Sequence, residues 1–157
     1  MKKTVIVAGI LMILFLLIIH LLLVISRSSG RLQKKNEDFA LYNLMLIKTC
    51  ETAYSKSSYL HSFATLKELC NEQDLIHECT DLDTSVLCLG KKMGYNFYVK
   101  IGESDDADQR TWTWSATAWP IVYGEAGRRT FYIDQDDVLR GADIGGIQGD
   151  LSLPIIE

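Results

Sequence analysis

GYNFYVKI, residues 94–101, sets Tyr95, Phe97, Val99 and Ile101 against Asn96, Tyr98 and Lys100. Strand side chains alternate between the two faces of a sheet, so this period of two predicts a half-buried strand. Toward the C-terminus, residues 103–109 form a polar turn. Residues 111–119 then alternate again, with Trp112, Trp114, Ala116 and Ala118 on one face and Thr111, Thr113, Ser115 and Thr117 on the other. Pro120 has no amide hydrogen to give a ladder, so it ends that strand or marks an edge. A glycine-bearing loop over 123–127 leads to a third strand at 130–134. A tight turn at Gln135-Asp136-Asp137 then opens a fourth at 138–140. This is an antiparallel meander of about four strands. The tail from Gly141 has four glycines and no period, and is expected to be loosely held.

Toward the N-terminus, residues 71–90 are irregular and rich in cysteine. Residues 62–69 suggest a short helix with Ser62 or Thr65 at its N-cap, and Glu68 completes a capping box if Thr65 is used. Between residues 32 and 56, Phe39, Tyr42, Leu46, Cys50 and Ala53 recur at steps of three and four, and Ile47 and Tyr54 widen the stripe. This is an amphipathic helix, and Lys34, Lys35, Glu37, Lys48, Glu51 and Lys56 take its polar positions. Its stripe and the aromatic sheet face can bury each other, an α+β architecture.

Residues 4–25 are apolar apart from a few small or polar side chains, and His20 is the one titratable group among them. As a helix they span roughly 33 Å, enough for a hydrocarbon core of about 30 Å. The run is too long for a secretory signal core, and Ser26-Arg27-Ser28-Ser29-Gly30 holds no small-residue cleavage pattern. A retained anchor is expected. With no proline between them, anchor and amphipathic segment can form one long helix, bending if anywhere at Ser28-Ser29-Gly30.

Charge divides the chain at the same place. Lys2, Lys3, Arg27, Arg31, Lys34 and Lys35 stand alone in the first 35 residues, and the remainder carries ten basic and twenty acidic side chains. An acidic domain argues against nucleic acid as a partner. The basic flank after the anchor mildly favours a cytoplasmic domain by the positive-inside rule. Cysteine usage points the other way: Cys50, Cys70, Cys79 and Cys88 all follow the anchor, with no C-x-x-C. Two disulfides in an oxidising compartment are expected, with three pairings open; Cys50 lies in the helix stripe, so its bridge ties helix to loop, to Cys70 or Cys79. The topology favoured is N-inside, C-outside.

The last third carries a resemblance. Gly94-Tyr95-x-Phe97, Ala118-x-Pro120, Gly124-x-x-Gly127-x-Arg129-x-Phe131-Tyr132-x-Asp134 and Val138-x-Arg140 resemble the C-terminal half of short type IV pilin and type II secretion pseudopilin-like proteins. Leu44-x-x-Ile47, Ala53-Tyr54, Phe63, Leu66 and Leu69 resemble their helix-to-loop segment. The resemblance covers residues 40–143. It implies a pilin-like fold, a bacterial inner (cytoplasmic) membrane location with a periplasmic or extracellular domain, and partners among pilus or secretion assembly subunits. The N-terminus departs from the family. Gly9 is the glycine placed for leader cleavage, but the stretch before it is already apolar, and Leu14 stands where the family has a glutamate. Asp137 replaces the family's turn glycine, and Asp tolerates a left-handed backbone better than most residues.

Other constellations are better read as structure. Cys70, His77, Cys79 and Cys88 could hold zinc, but their spacing fits no common pattern. Glu103, Asp105, Asp106 and Asp108 could collect calcium, but lack ordered ligand spacing and read as a solvated hairpin tip. Asp134, Asp136 and Asp137 read as turn formers. His20 lies at membrane depth, where a neutral imidazole near the interface is tolerated. His61 and His77 have no nucleophile in a recognisable arrangement, and no catalytic motif is present. Trp112 and Trp114 are expected in the core, whereas Trp119 and Tyr123 are candidate partner contacts.

The expectation is therefore a single-pass anchor over 1–31, a pilin-like α+β domain over 32–143 and a flexible tail over 144–157. The chain is expected to use no cofactor or metal and to catalyse nothing, acting as a membrane-anchored structural or assembly subunit through protein contacts. The alternatives are a stand-alone exterior binding or sensing domain that never enters a filament, and a cytoplasm-facing zinc module.

Overall fold

A computed structural model describes residues 2–58, 62–71, 79, 87–102 and 113–156, with the backbone alone at 2–11 and 87. The chain divides into two compact units, residues 1–32 and 33–157. Helix α1 runs Lys2–Ser57. In the first unit its side chains from Met12 to Ile25 are exposed throughout, and none of its most apolar window, of mean hydropathy 2.2, is buried within the chain. Among the described residues, one helix is thus long and apolar enough to cross a membrane.

The second unit is α+β. The C-terminal part of α1 packs on a five-stranded antiparallel sheet in sequential order: β1 (Lys91–Lys92), β2 (Tyr95–Gly102), β3 (Thr113–Pro120), β4 (Arg129–Asp134) and β5 (Arg140–Asp143). Two details differ from the sequence reading. The two-residue β1 adds a fifth strand, brought against β2 by a turn in which Met93 and Gly94 both have positive φ. The last strand is Arg140–Asp143 rather than 138–140, because Val138 and Leu139 after the turn 134–137 stay outside the ladder. Asp137 takes φ 64°, the left-handed position that an aspartate was expected to tolerate there.

Register explains the core. Phe97, Ala118, Phe131 and Gly141 form one row across β2–β5, and Val99, Ala116 and Ile133 the next. These side chains meet Ala40, Leu44, Ile47 and Cys50 of α1 in one buried cluster. A Cβ on Gly141 would lie 2.8 Å from the Phe131 ring, so the row closes with glycine opposite a large aromatic. Trp114 is buried and its ring lies 6.3 Å from that of Phe63. Trp112 lies outside the described residues.

Burial along β4 does not alternate: Thr130 through Asp134 are all buried. The reason is the tail. Thr130 Oγ1 donates to Ile147 O (2.8 Å), Gln148 Nε2 donates to Thr117 Oγ1 (3.2 Å), and Leu153 is buried. Gly141 N–H donates to Pro154 O, Ile156 N–H donates to Leu139 O, and Ile155 bridges to Arg140. The segment expected to be a loose appendage from 144 onward is bonded to the outer face of the sheet and belongs to the same unit. Its glycines hid this because most of the bonds use its backbone, which has no side-chain signature.

Helix α2 spans Leu66–Asn71. Thr65 is its N-cap: Thr65 Oγ1 accepts from Glu68 N–H (3.3 Å), and Thr65 N–H donates to Glu68 Oε2 (2.7 Å). This is the reciprocal box read from T-x-x-E. A 3-10 turn, Leu87–Leu89, precedes β1.

Candidate interaction surfaces

The four cysteines are paired, Cys50 with Cys79 and Cys70 with Cys88, at Cα separations of 5.3 and 5.9 Å. Cys50 and Cys79 are fully buried, so their bridge ties α1 to the loop from inside the core. Among the described residues no group of His, Cys, Asp and Glu is placed to hold a metal. His77, Glu103, Asp105, Asp106 and Asp108 lie outside the described residues, as does His61, and His20 is exposed on α1.

The buried face of α1 is rotated from the one the sequence suggested. Asn36, Ala40, Asn43, Leu44, Ile47, Cys50 and Glu51 are buried, whereas Phe39 is 37 % exposed and Tyr42 57 %. Since each helical residue turns about 100°, Phe39, Tyr42 and Leu46 lie roughly 100° around the helix from the buried face. Leu46 and Ala53 are partly buried at the border. The helix therefore has two apolar faces, one of them set with asparagine and glutamate. Apolarity placed Ile47 and Cys50 correctly in the stripe but centred it on Phe39 and Tyr42, because three members of the covered face are polar. Phe39 and Tyr42 line a shallow hollow with Lys35 and Asp38, and the Lys35 ammonium lies 5.8 Å from the Phe39 ring centre.

The polar members of the covered face have specific tasks. Gln33 Nε2 donates to Gly124 O, Asn36 Nδ2 donates to Ala126 O (2.8 Å), and Glu37 Oε1 accepts from the N–H groups of Arg128 (3.0 Å) and Arg129 (3.2 Å). One turn of α1 thereby grips the loop between β3 and β4. Inside it, a Cβ on Gly127 would stand 2.2 Å from the Tyr95 hydroxyl, which donates to Arg129 O (2.9 Å). Only glycine lets the loop close over that phenol. The i, i+3, i+4 spacing of Gln33, Asn36 and Glu37 was a readable signal, but a loop's backbone as its target was not.

Glu51 is fully buried. Its Oε2 accepts from Ala64 N–H (3.0 Å), while Oε1 has no partner. Burial, opposed by that hydrogen bond and assisted by the charge of Glu68, raises its pKa to about 8. The carboxyl fastens the segment before α2 to α1 and is a neutral acid over much of the physiological range.

Of the two candidate contacts on the sheet, Trp119 is half-buried on the outer face opposite Asn96. Tyr123 is 45 % exposed. Its hydroxyl donates to Asp143 Oδ1 (2.9 Å), a bond that raises the phenol pKa. The structure does not bring the two into one patch by any direct bond. Tyr123 instead belongs with Ile121 and Val122, both 46 % exposed. A groove of about 350 Å³ lies between α1 and the sheet near Phe63 and Trp114, and the described residues lining it include Lys56 and Asp137 but neither histidine nor cysteine. No family model, curated protein or solved structure matches this chain.

Proposed function

We propose that this chain is a membrane-anchored, pilin-like structural or assembly subunit of the bacterial inner membrane that works through protein contacts and not by catalysis. The observation that carries the reading is the second apolar face of α1. Phe39 and Tyr42 project from a helix whose other face already supplies the domain core. Two exposed aromatics on one helix face form a small patch outside the core, and aromatic side chains are enriched among the residues that anchor interfaces. The pattern of the last third, from Gly94-Tyr95-x-Phe97 to Val138-x-Arg140, supports the same reading. Placement of the domain outside the cytoplasm rests on the two disulfides.

Leu14 favours a second reading, in which the domain is a stand-alone exterior binding module. A filament subunit of this kind uses a carboxylate at that position, and leucine offers none. Intact mass of the membrane-extracted protein separates the two. Loss of the residues through Gly9 supports entry into a filament, and an uncleaved chain supports the permanent anchor. For the leading reading, the double variant Phe39→Glu, Tyr42→Glu should keep the stability of the domain and dissociate its complexes in native gels of mild-detergent extracts. Complexes of unchanged size would contradict the assignment of this face.

A further inference from the structure

The end of the sheet gripped by Gln33, Asn36 and Glu37 gathers exposed apolar side chains. The ladder fixes which loops share that end. Tyr95, Pro120, Arg129 and Asp143 are strand termini there, so the 93–94 turn, the 121–128 loop and the 144–147 turn lie together. Ile121 N–H donates to Gly94 O (2.8 Å), and a Cβ on Gly146 would touch Tyr123 Cβ at 2.8 Å, confirming the neighbourhood. Met93, Ile121, Val122, Tyr123 and Ile147 are 43–64 % exposed. The turn at the opposite end, Gln135-Asp136-Asp137, is polar and exposed. Two further exposed apolar residues, Leu151 and Ile155, belong to the C-terminal segment instead.

This apolar end is also where the chain enters the domain, since Gln33 is the first residue of the unit and is bonded to Gly124 of the loop. Gln33 stands eight steps along the chain from Ile25, the last of the apolar run. Those steps cover about 12 Å as helix and at most about 29 Å extended. A headgroup layer is roughly 6 Å deep on each side of the hydrocarbon. The loop is therefore tethered within a short reach of the lipid surface. Lys34, Lys35 and Arg128 are exposed around this entry. Two acids at this end accept hydrogen bonds, Glu37 from the Arg128 and Arg129 amides and Asp143 from the Tyr123 hydroxyl. Glu125 and Asp38 remain exposed.

We propose that this end of the sheet rests on the bilayer holding the chain's own anchor, with Ile121, Val122 and Tyr123 at headgroup depth and the basic side chains on anionic lipid. Interfacial tyrosine, aliphatic neighbours and flanking lysines and arginines are the combination that a headgroup layer accepts. The tether and the apolar surface select lipid over a soluble partner. The inference rests on a retained anchor and is independent of filament entry.

The test uses the full chain in phosphatidylcholine–phosphatidylglycerol vesicles. Native cysteines are paired, so a single environment-sensitive fluorophore can be placed at Val122→Cys and, separately, at Asp136→Cys at the opposite end. Glu125→Cys is a second site in the same loop should Val122→Cys not fold. The label at 122 or 125 should emit further to the blue than at 136 and be quenched several-fold more by lipid spin-labelled near the headgroup. Equal, water-like emission at both ends overturns the proposal. So does a blue shift that lipid quenchers leave unchanged and that fades as protein is diluted in lipid, the sign of a protein neighbour. A chain that fails to float with the vesicles overturns the anchor, and this is visible before any label is read.

Discussion

Glu51 is the residue whose chemistry departs furthest from its appearance in the sequence, where it looks like one more polar helix position. Its carboxyl has a folded pKa of about 8 against 4.5 when free, with burial as the main cause. The folded state therefore holds one more proton than the unfolded state between these values. The group's contribution is complete below about pH 4.5 and is lost as pH rises through 8. The shift corresponds to roughly 5 kcal/mol at most. Urea unfolding at pH 5 and pH 8, disulfides intact, should show stability falling over that interval. Glu51→Gln, which keeps an oxygen for Ala64 N–H, should remove most of the fall and be the more stable protein at pH 8. An equal fall in both proteins would mean that another group titrates. Asp137 offers a backbone counterpart. Its positive φ and its ion pair with Lys48 (2.7 Å) are separable. Both Asp137→Ala and Asp137→Gly delete an exposed pair of small worth. Only alanine is strained by the left-handed backbone, so it should cost about 1 kcal/mol more than glycine. Identical midpoints in denaturant would assign the effect to the ion pair.

At the level of elements, what was legible depended on whether the information lay in side-chain periodicity. Strand β2, the alternating 113–119 of β3, the Thr65 cap and the left-handed Asp137 were readable because each is written in a local pattern. The burial of Asn36, the anchorage of the tail and the grip of α1 on the β3–β4 loop were not, since their partners are groups distant in sequence. The grip is testable. Asn36→Ala would leave Ala126 O without its donor and should cost about 1–2 kcal/mol. The Gly127→Ala change should cost more, because its methyl collides with Tyr95 whatever the loop does. Thermal midpoints of the two variants rank them, and the reverse order would show that the loop is held by α1 alone. The disulfides act on a larger scale. Their sequence separations of 29 and 18 residues correspond to about 3–4 kcal/mol each in the chain-entropy view. Thiol labelling of the native protein should find no free cysteine and four after reduction; four reactive thiols beforehand would remove the argument for an oxidising compartment.

For the whole molecule, the division of charge and hydropathy near residue 32 matches the boundary between the two compact units. The apolar run, the even cysteine count and the α+β class could all be read without coordinates. Which face of α1 would be covered could not, because amphipathicity does not distinguish a stripe that meets its own sheet from one that meets another protein. That distinction is the centre of the account. A photo-crosslinking amino acid placed at Phe39 or Tyr42 of the full chain in its native membrane measures it directly, with Thr52, an exposed residue on a different face, as the reference. The account predicts discrete adducts at 39 and 42 containing a second copy of this chain or a similarly anchored subunit, and little at 52. Equal, protein-free labelling at all three positions would contradict it.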